Sequence, residues 1–136
     1  MGFQTTEYLA SAFVDLYLHL HEPPDDIMKR QDQILQKLKI PAAIGMRHAV
    51  PHFAHVFSGS GYASGYYSYM WSEVMEADAF SAFTEVNDPF DSTVAKSLEK
   101  NILAAGGSEE PEILYVNFRG RLPDPNAMIE ARGLYT

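Results

Sequence analysis

Apolar residues along this chain recur at intervals of three and four, and prolines and glycines cut that rhythm into short lengths. This feature constrains the fold most, because a period near 3.6 puts apolar side chains on one side of a helix. No alternating run of useful length offers a strand. Thr5 or Thr6 can cap a first helix carrying Leu9, Ala12, Phe13, Leu16 and Leu20, which Pro23 and Pro24 break. Asp25 or Asp26 caps a second helix with Ile27, Ile34, Leu35 and Leu38, and Pro41 ends it or opens a short helix through Met46. A longer, largely buried helix is predicted from about Ser64 to Thr84, with Tyr66, Tyr67, Met70, Trp71, Val74, Met75, Phe80 and Phe83 around its girth. Asn87 to Asp91 read as a turn. Ser92 caps a helix through Ala104, which Gly106-Gly107 stops. Ser108, Glu109, Glu110 and Pro111 restart a helix through about Phe118, and Asp124-Pro125 opens a last short one that Gly133 ends. The expected fold class is all-α, about six helices, in a single domain or fragment over residues 1–136.

The 136 residues suffice to bury a core. A net charge of −8 argues against non-specific binding to nucleic acid or an anionic membrane, since both need clustered Lys and Arg. The chain has no cysteine, so it can form neither a disulfide nor a thiolate metal site. No apolar run approaches the ~20 residues that cross a bilayer, and MGFQTTEY lacks the parts of a signal peptide. The expectation is a soluble, cytoplasmic protein with no nucleic-acid or membrane partner. Helical patterning begins within the first few residues, as if the chain started mid-domain.

The chemistry-bearing stretch is HFAHVFSGSGYASGYYSYMWSE, His52 to Glu73. Gly59, Gly61 and Gly65 mark a loop whose backbone can take positive φ or approach another group closely. It lacks the GxxxxGK[ST] and GxGxxG spacings, and no strand precedes it, so a phosphate site is not expected. His48, His52 and His55 would share a face on an unbroken helix, and three imidazoles can hold zinc with a fourth position open. Pro51 disturbs any such helix, so individual capping or packing is the alternative. His19 and His21 point to different faces and read as surface residues. Tyr66 and Tyr69 are three apart and would share a helix face. A phenol stays neutral at pH 7 and can donate to a developing oxyanion. Tyr67 and Trp71 read as core packing, whereas Tyr62, beside Gly61 on the loop, does not.

The stretch HFAHVFSGSGYASGYYSYMWSEVMEADAF resembles a segment near the C-terminus of M3-family zinc metallopeptidases, the thimet oligopeptidase, oligopeptidase A and peptidyl-dipeptidase Dcp group. FQTTEYLASAFVDLYLH is similar to the helix before that segment. FTEVNDPFDSTVAKSLEKNILAAGGSEEP is similar to the helix and Gly-Gly turn after it, and FRGRLPDPNAMIEARGL to the family's closing FRGR and GL. The resemblance covers nearly the whole chain. It implies a mostly helical, neurolysin-like catalytic domain beside a deep channel, cutting short peptides with zinc held by HExxH and a downstream Glu. It also implies that Tyr69 and Tyr62 donate to the scissile carbonyl or the neighbouring peptide. His55, Tyr66, Gly59 and Gly61 are implied to bind the substrate backbone, and the glycines to let the loop swing its tyrosine inward.

One departure limits what the resemblance can carry. The only HE pair, His21-Glu22, is followed by Pro23-Pro24-Asp25, with no second histidine four residues on. The chain is therefore expected to be inactive alone, to bind no zinc by itself, and to need an N-terminal catalytic portion. The alternative is a non-catalytic binding or assembly module, a homo-oligomer that buries the apolar faces such a portion would have covered.

Overall fold

A computed structural model describes residues 1–134, and among them lie seven α-helices and no strand. The all-α expectation holds. The chain forms two compact units, one from Met1 to Met70 and one from Trp71 onward.

In the first unit, α1 (Gly2–Leu20) and α2 (Ile27–Lys37) pack about Val14, Ile34 and Val50, with Leu18, Leu35, Leu38 and Met46 against them. Asp26 caps α2 by accepting the Lys29 N–H at 2.9 Å. Thr5 and Thr6 do not cap α1. They lie inside it, and their hydroxyls donate to the Met1 and Gly2 carbonyls four residues back. The buried face of α1 is also not the aliphatic set expected: Phe13 and Leu20 are exposed, while Ser11 and Asp15 are buried beside Ala10, Ala12 and Val14. Past α2, Pro41 opens a single turn, its carbonyl accepting the Ile44 and Gly45 N–H groups, and no helix reaches Met46. The Gln31 side-chain carbonyl accepts the Val50 N–H at 2.9 Å and pins the chain where it enters a 3₁₀ turn, Val50–His52. A short α3 (Ala54–Phe57) and a second 3₁₀ turn, Ser60–Tyr62, lead to α4 (Ser68–Glu85).

In the second unit, α4 is followed by α5 (Ser92–Leu98), a π-helical turn (Glu99–Leu103), α6 (Pro111–Arg119) and α7 (Pro125–Ala131). The cap of α5 is Asp91, not Ser92: its carboxylate accepts the Thr93 and Val94 N–H groups. α6 starts at Pro111 with no side-chain cap, so Ser108 lies outside it. Asp124 caps α7 with Pro125 in its first turn, as expected. α4 is not largely buried. Val74, Asp78 and Ala82 are its buried residues, and Trp71 and Phe80 are more than half exposed at 52% and 57%.

Asp78 organises this unit. Its carboxylate is fully buried and accepts the Tyr115 hydroxyl at 2.7 Å and Arg119 Nε at 3.3 Å, with Arg121 2.6 Å from its other oxygen. Burial works against the charge, but Tyr115, Arg121 and Arg119 outweigh it and hold the carboxyl below its ordinary range. Burial, then the bond to Asp78, pushes the Tyr115 phenol up. Gly120 explains how two arginines of one FRGR sequence reach one carboxylate: its φ of 75° turns the chain back at the end of α6. Arg119 also grips Glu85 at 2.7 Å, and Arg132, just past α7, forms a forked ion pair with Glu73.

Candidate functional site

The tyrosine loop does not continue α4 upstream. Ser64 has φ 60°, the left-handed region, and the helix begins only at Ser68. The cause lies in α1. Both oxygens of buried Asp15 accept loop amides, Oδ1 from Ser64 at 3.0 Å and Oδ2 from Tyr66 at 2.9 Å. The left-handed backbone at Ser64 breaks the helical path and Asp15 holds that turn by its amides, with Tyr66 just outside α4. Tyr66 and Tyr69 meet nonetheless, edge to face with centroids 5.4 Å apart.

His55, at the second position of α3, is the centre of the cluster. Its Nε2 lies 3.2 Å from the Tyr69 hydroxyl. The Tyr62 ring stacks on the imidazole at 5.1 Å, and Tyr66 meets it edge-on at 5.7 Å. Four of the residues singled out from sequence, His55, Tyr62, Tyr66 and Tyr69, thus form one aromatic group although α3, the second 3₁₀ turn, the following loop and α4 carry one each. Beside it opens a cleft of ≈ 390 Å³ lined by Tyr8, His48, His52, Phe53, His55, Tyr66 and Tyr69. Tyr62 is 66% exposed and Tyr69 53%, so both phenols are within reach of a ligand.

Two expectations about packing and one about the loop are corrected. Tyr67 and Trp71 are about half exposed and are not core residues. Gly59 is extended, with φ 174°, and neither it nor Gly61 occupies the left-handed region. A Cβ at either would meet nothing within 4 Å, so this conformation does not require glycine there. Gly65 is different: a Cβ there would lie 3.1 Å from the Tyr62 carbonyl oxygen.

The histidine trio does not form a helix face, because Pro51 sits in a 3₁₀ turn with His52 while His55 belongs to α3. Among the described residues no three of His, Asp or Glu come together as metal ligands. The side chains present therefore do not fit a resident zinc. Asp15 and Tyr8, by contrast, are placed at the loop, and sequence reading passed them over. The available signal was a lone charged residue inside the otherwise uncharged LASAFVDLYL of α1.

The profile of peptidase family M3 matches residues 1–134. The chain belongs to peptidase family M3. This M3 chain is 42% identical over 123 residues to oligopeptidase A of Escherichia coli, an alignment covering 88% of the chain and 18% of that protein. It is 35% identical to a probable cytosolic oligopeptidase A of Arabidopsis thaliana, covering 98% of the chain and 20% of the relative. It is 32% identical to the dipeptidyl carboxypeptidase of Escherichia coli, again covering 98% and 20%. The M3 chain thus spans about a fifth of the length of these curated relatives. No helix among its described residues is long and apolar enough to cross a membrane.

Proposed function

We propose that this chain supplies the substrate-binding and oxyanion-donating wall of an M3 peptidase that hydrolyses short peptides. The observation that carries the reading is the His55-centred cluster: the Tyr69 hydroxyl 3.2 Å from His55, and Tyr62 stacked on the same imidazole beside an open cleft. Tyr69 and Tyr62 donate to the scissile carbonyl or the adjoining peptide unit. Neutral phenols suit that task, since they stabilise a developing negative charge without surrendering a proton. His55 holds Tyr69 until substrate arrives. Tyr66 and the backbone around Gly59 and Gly61 receive the peptide main chain. The ligands of the catalytic zinc that the resemblance implies lie outside this chain's described residues, and activation of the attacking water belongs with them. The chain is inactive alone, belongs to the C-terminal end of a catalytic domain, and works in the cytoplasm.

A second reading has an observation of its own. Trp71 and Phe80 on α4, and Phe3 and Phe13 on α1, are all about half exposed or more. Contiguous exposed apolar surface marks association, and this reading takes the aromatics within each unit as such a face. In that reading the chain is a homo-oligomeric assembly module without catalysis. Mixing this chain with a separate M3 portion bearing HExxH, and following cleavage of a quenched fluorescent peptide, discriminates the two. Activity that appears only on mixing supports the first; no activity in any mixture, with the chain a stable oligomer, supports the second.

A further inference from the structure

Asp15 is 0% exposed, in the middle of α1, and no part of the peptide-binding reading uses it. A carboxylate that far from water needs partners. It finds them in the tyrosine loop, in the Ser64 and Tyr66 amides, while His19 on α1 sets Nδ1 2.9 Å from both Oδ1 and the Asp15 carbonyl oxygen. The left-handed Ser64 turns its own amide and that of Tyr66 to one side. Convergent amides of this kind form a concavity suited to an anion. Here the anion is the chain's own side chain.

Tyr8 lies seven residues before Asp15, two helical turns away on the same side of α1. Its hydroxyl donates to the Tyr66 carbonyl at 2.5 Å and accepts the Met70 N–H at 3.1 Å, and its ring stacks on Tyr66 at 5.4 Å. Both backbone groups of Tyr66 are therefore held by α1. Tyr66 in turn packs against His55 and Tyr69.

We propose that Asp15 and Tyr8 are positioning residues that brace Tyr66 and through it set the geometry of the His55–Tyr69 pair. The inference rests on reading that cluster as the peptide-binding wall, but its test needs no catalysis, so the two can fail separately. The device is a two-point clamp. Asp15 determines that the chain turns at Ser64 instead of entering α4 early, and Tyr8 ties the exit of that turn to the first turn of the helix.

The test is amide hydrogen exchange with side-chain NMR on the full chain. In the wild type, the Ser64 and Tyr66 amides are expected to exchange at least about 100-fold slower than unstructured amides, as held hydrogen bonds do. In Asp15→Asn one acceptor oxygen is replaced by a donor NH₂ facing a donor N–H. The expected result is an approximately tenfold or greater loss of protection at Ser64 or Tyr66, with His55 ring signals shifted. The Val50 amide, held by Gln31, should keep its protection. Tyr8→Phe, which removes only a hydroxyl, leaves the Met70 amide its second acceptor, the Tyr67 carbonyl at 3.2 Å, and should lower protection at Met70 only in part while moving the His55 and Tyr69 signals, again sparing Val50. Three results would overturn the proposal. One is Ser64 and Tyr66 amides exchanging freely in the wild type. Another is protection lost equally at Val50, which makes the role generally structural. The third is His55 and Tyr69 signals unmoved in the variants. Should Asp15→Asn not fold, the wild type and Tyr8→Phe decide the matter alone.

Discussion

At the scale of the residue, two phenols and an imidazole divide the proposed work, and the exposed phenol hydroxyls can be removed with little structural cost. Tyr69 is about half exposed, so Tyr69→Phe should leave the thermal transition of the chain within about 0.5 kcal/mol of the parent. In a reconstituted enzyme the same change should lower kcat about 10²–10³-fold, the usual cost of deleting an oxyanion donor. The glycines separate in the same way. Gly65→Ala places a methyl 3.1 Å from the Tyr62 carbonyl, so the loop must shift, at a cost of about 1–3 kcal/mol. Gly59→Ala and Gly61→Ala meet open space. Urea titrations of the three variants should show the midpoint falling for Gly65→Ala alone; equal losses at all three would contradict the close approach at Gly65.

At the scale of the element, α4 is held to its neighbours by charge. Asp78 takes Tyr115 and Arg119 from α6 and Arg121 just beyond it, and Glu73 takes Arg132 at the end of α7. Asp78→Ala removes the buried acceptor shared by Tyr115, Arg119 and Arg121, leaves Arg119 its bonds to Glu85 and Ser81, and should cost about 1–3 kcal/mol, read as a lower urea midpoint with unchanged m. The pH dependence follows from the same partners. Arg132 at Glu73 and Arg119 at Glu85 hold those carboxyls low, and at Asp78 the three partners overcome burial. A carboxyl whose folded pKa is depressed binds more protons in the unfolded chain, so its contribution is complete above the ordinary values of 3.8 and 4.5 and is lost below them. Thermal stability should be flat in these groups' contribution above pH 5 and should fall as acid titrates them. A decline beginning near pH 7 would point to other groups.

The helix signals legible in the sequence were the local ones. Asp26 before α2, Asp124-Pro125 at α7 and the glycine ends near 106 and 133 depend on residues within one turn, and they stand where expected. The start of α4 was not legible, because the Ser64 turn ahead of it is held by Asp15, 49 and 51 residues away from the amides whose bonds it accepts. Periodicity likewise said nothing about which faces this chain leaves uncovered, and Phe13, Tyr67 and Trp71 were misplaced for that reason. The residues of the candidate site were named from resemblance, whereas their convergence on His55 is a product of the fold.

At the scale of the whole molecule, the chain corresponds to about a fifth of its relatives and holds no group of metal-ligating residues among those described. Its exposed aromatics predict self-association: light scattering at micromolar concentration should find a species larger than 15.2 kDa, and a strict monomer would count against that reading. In the proposed function this chain is the tyrosine wall of a peptidase site whose metal ligands lie outside its described residues. The most direct measurement is the mixing assay, with zinc present and the chain tested alone, with an HExxH-bearing M3 portion, and as Tyr69→Phe in the same mixture. Cleavage is expected only on mixing, reduced at least about 100-fold by the single hydroxyl deletion. Cleavage by the chain alone, or mixed activity that Tyr69→Phe leaves intact, would contradict it.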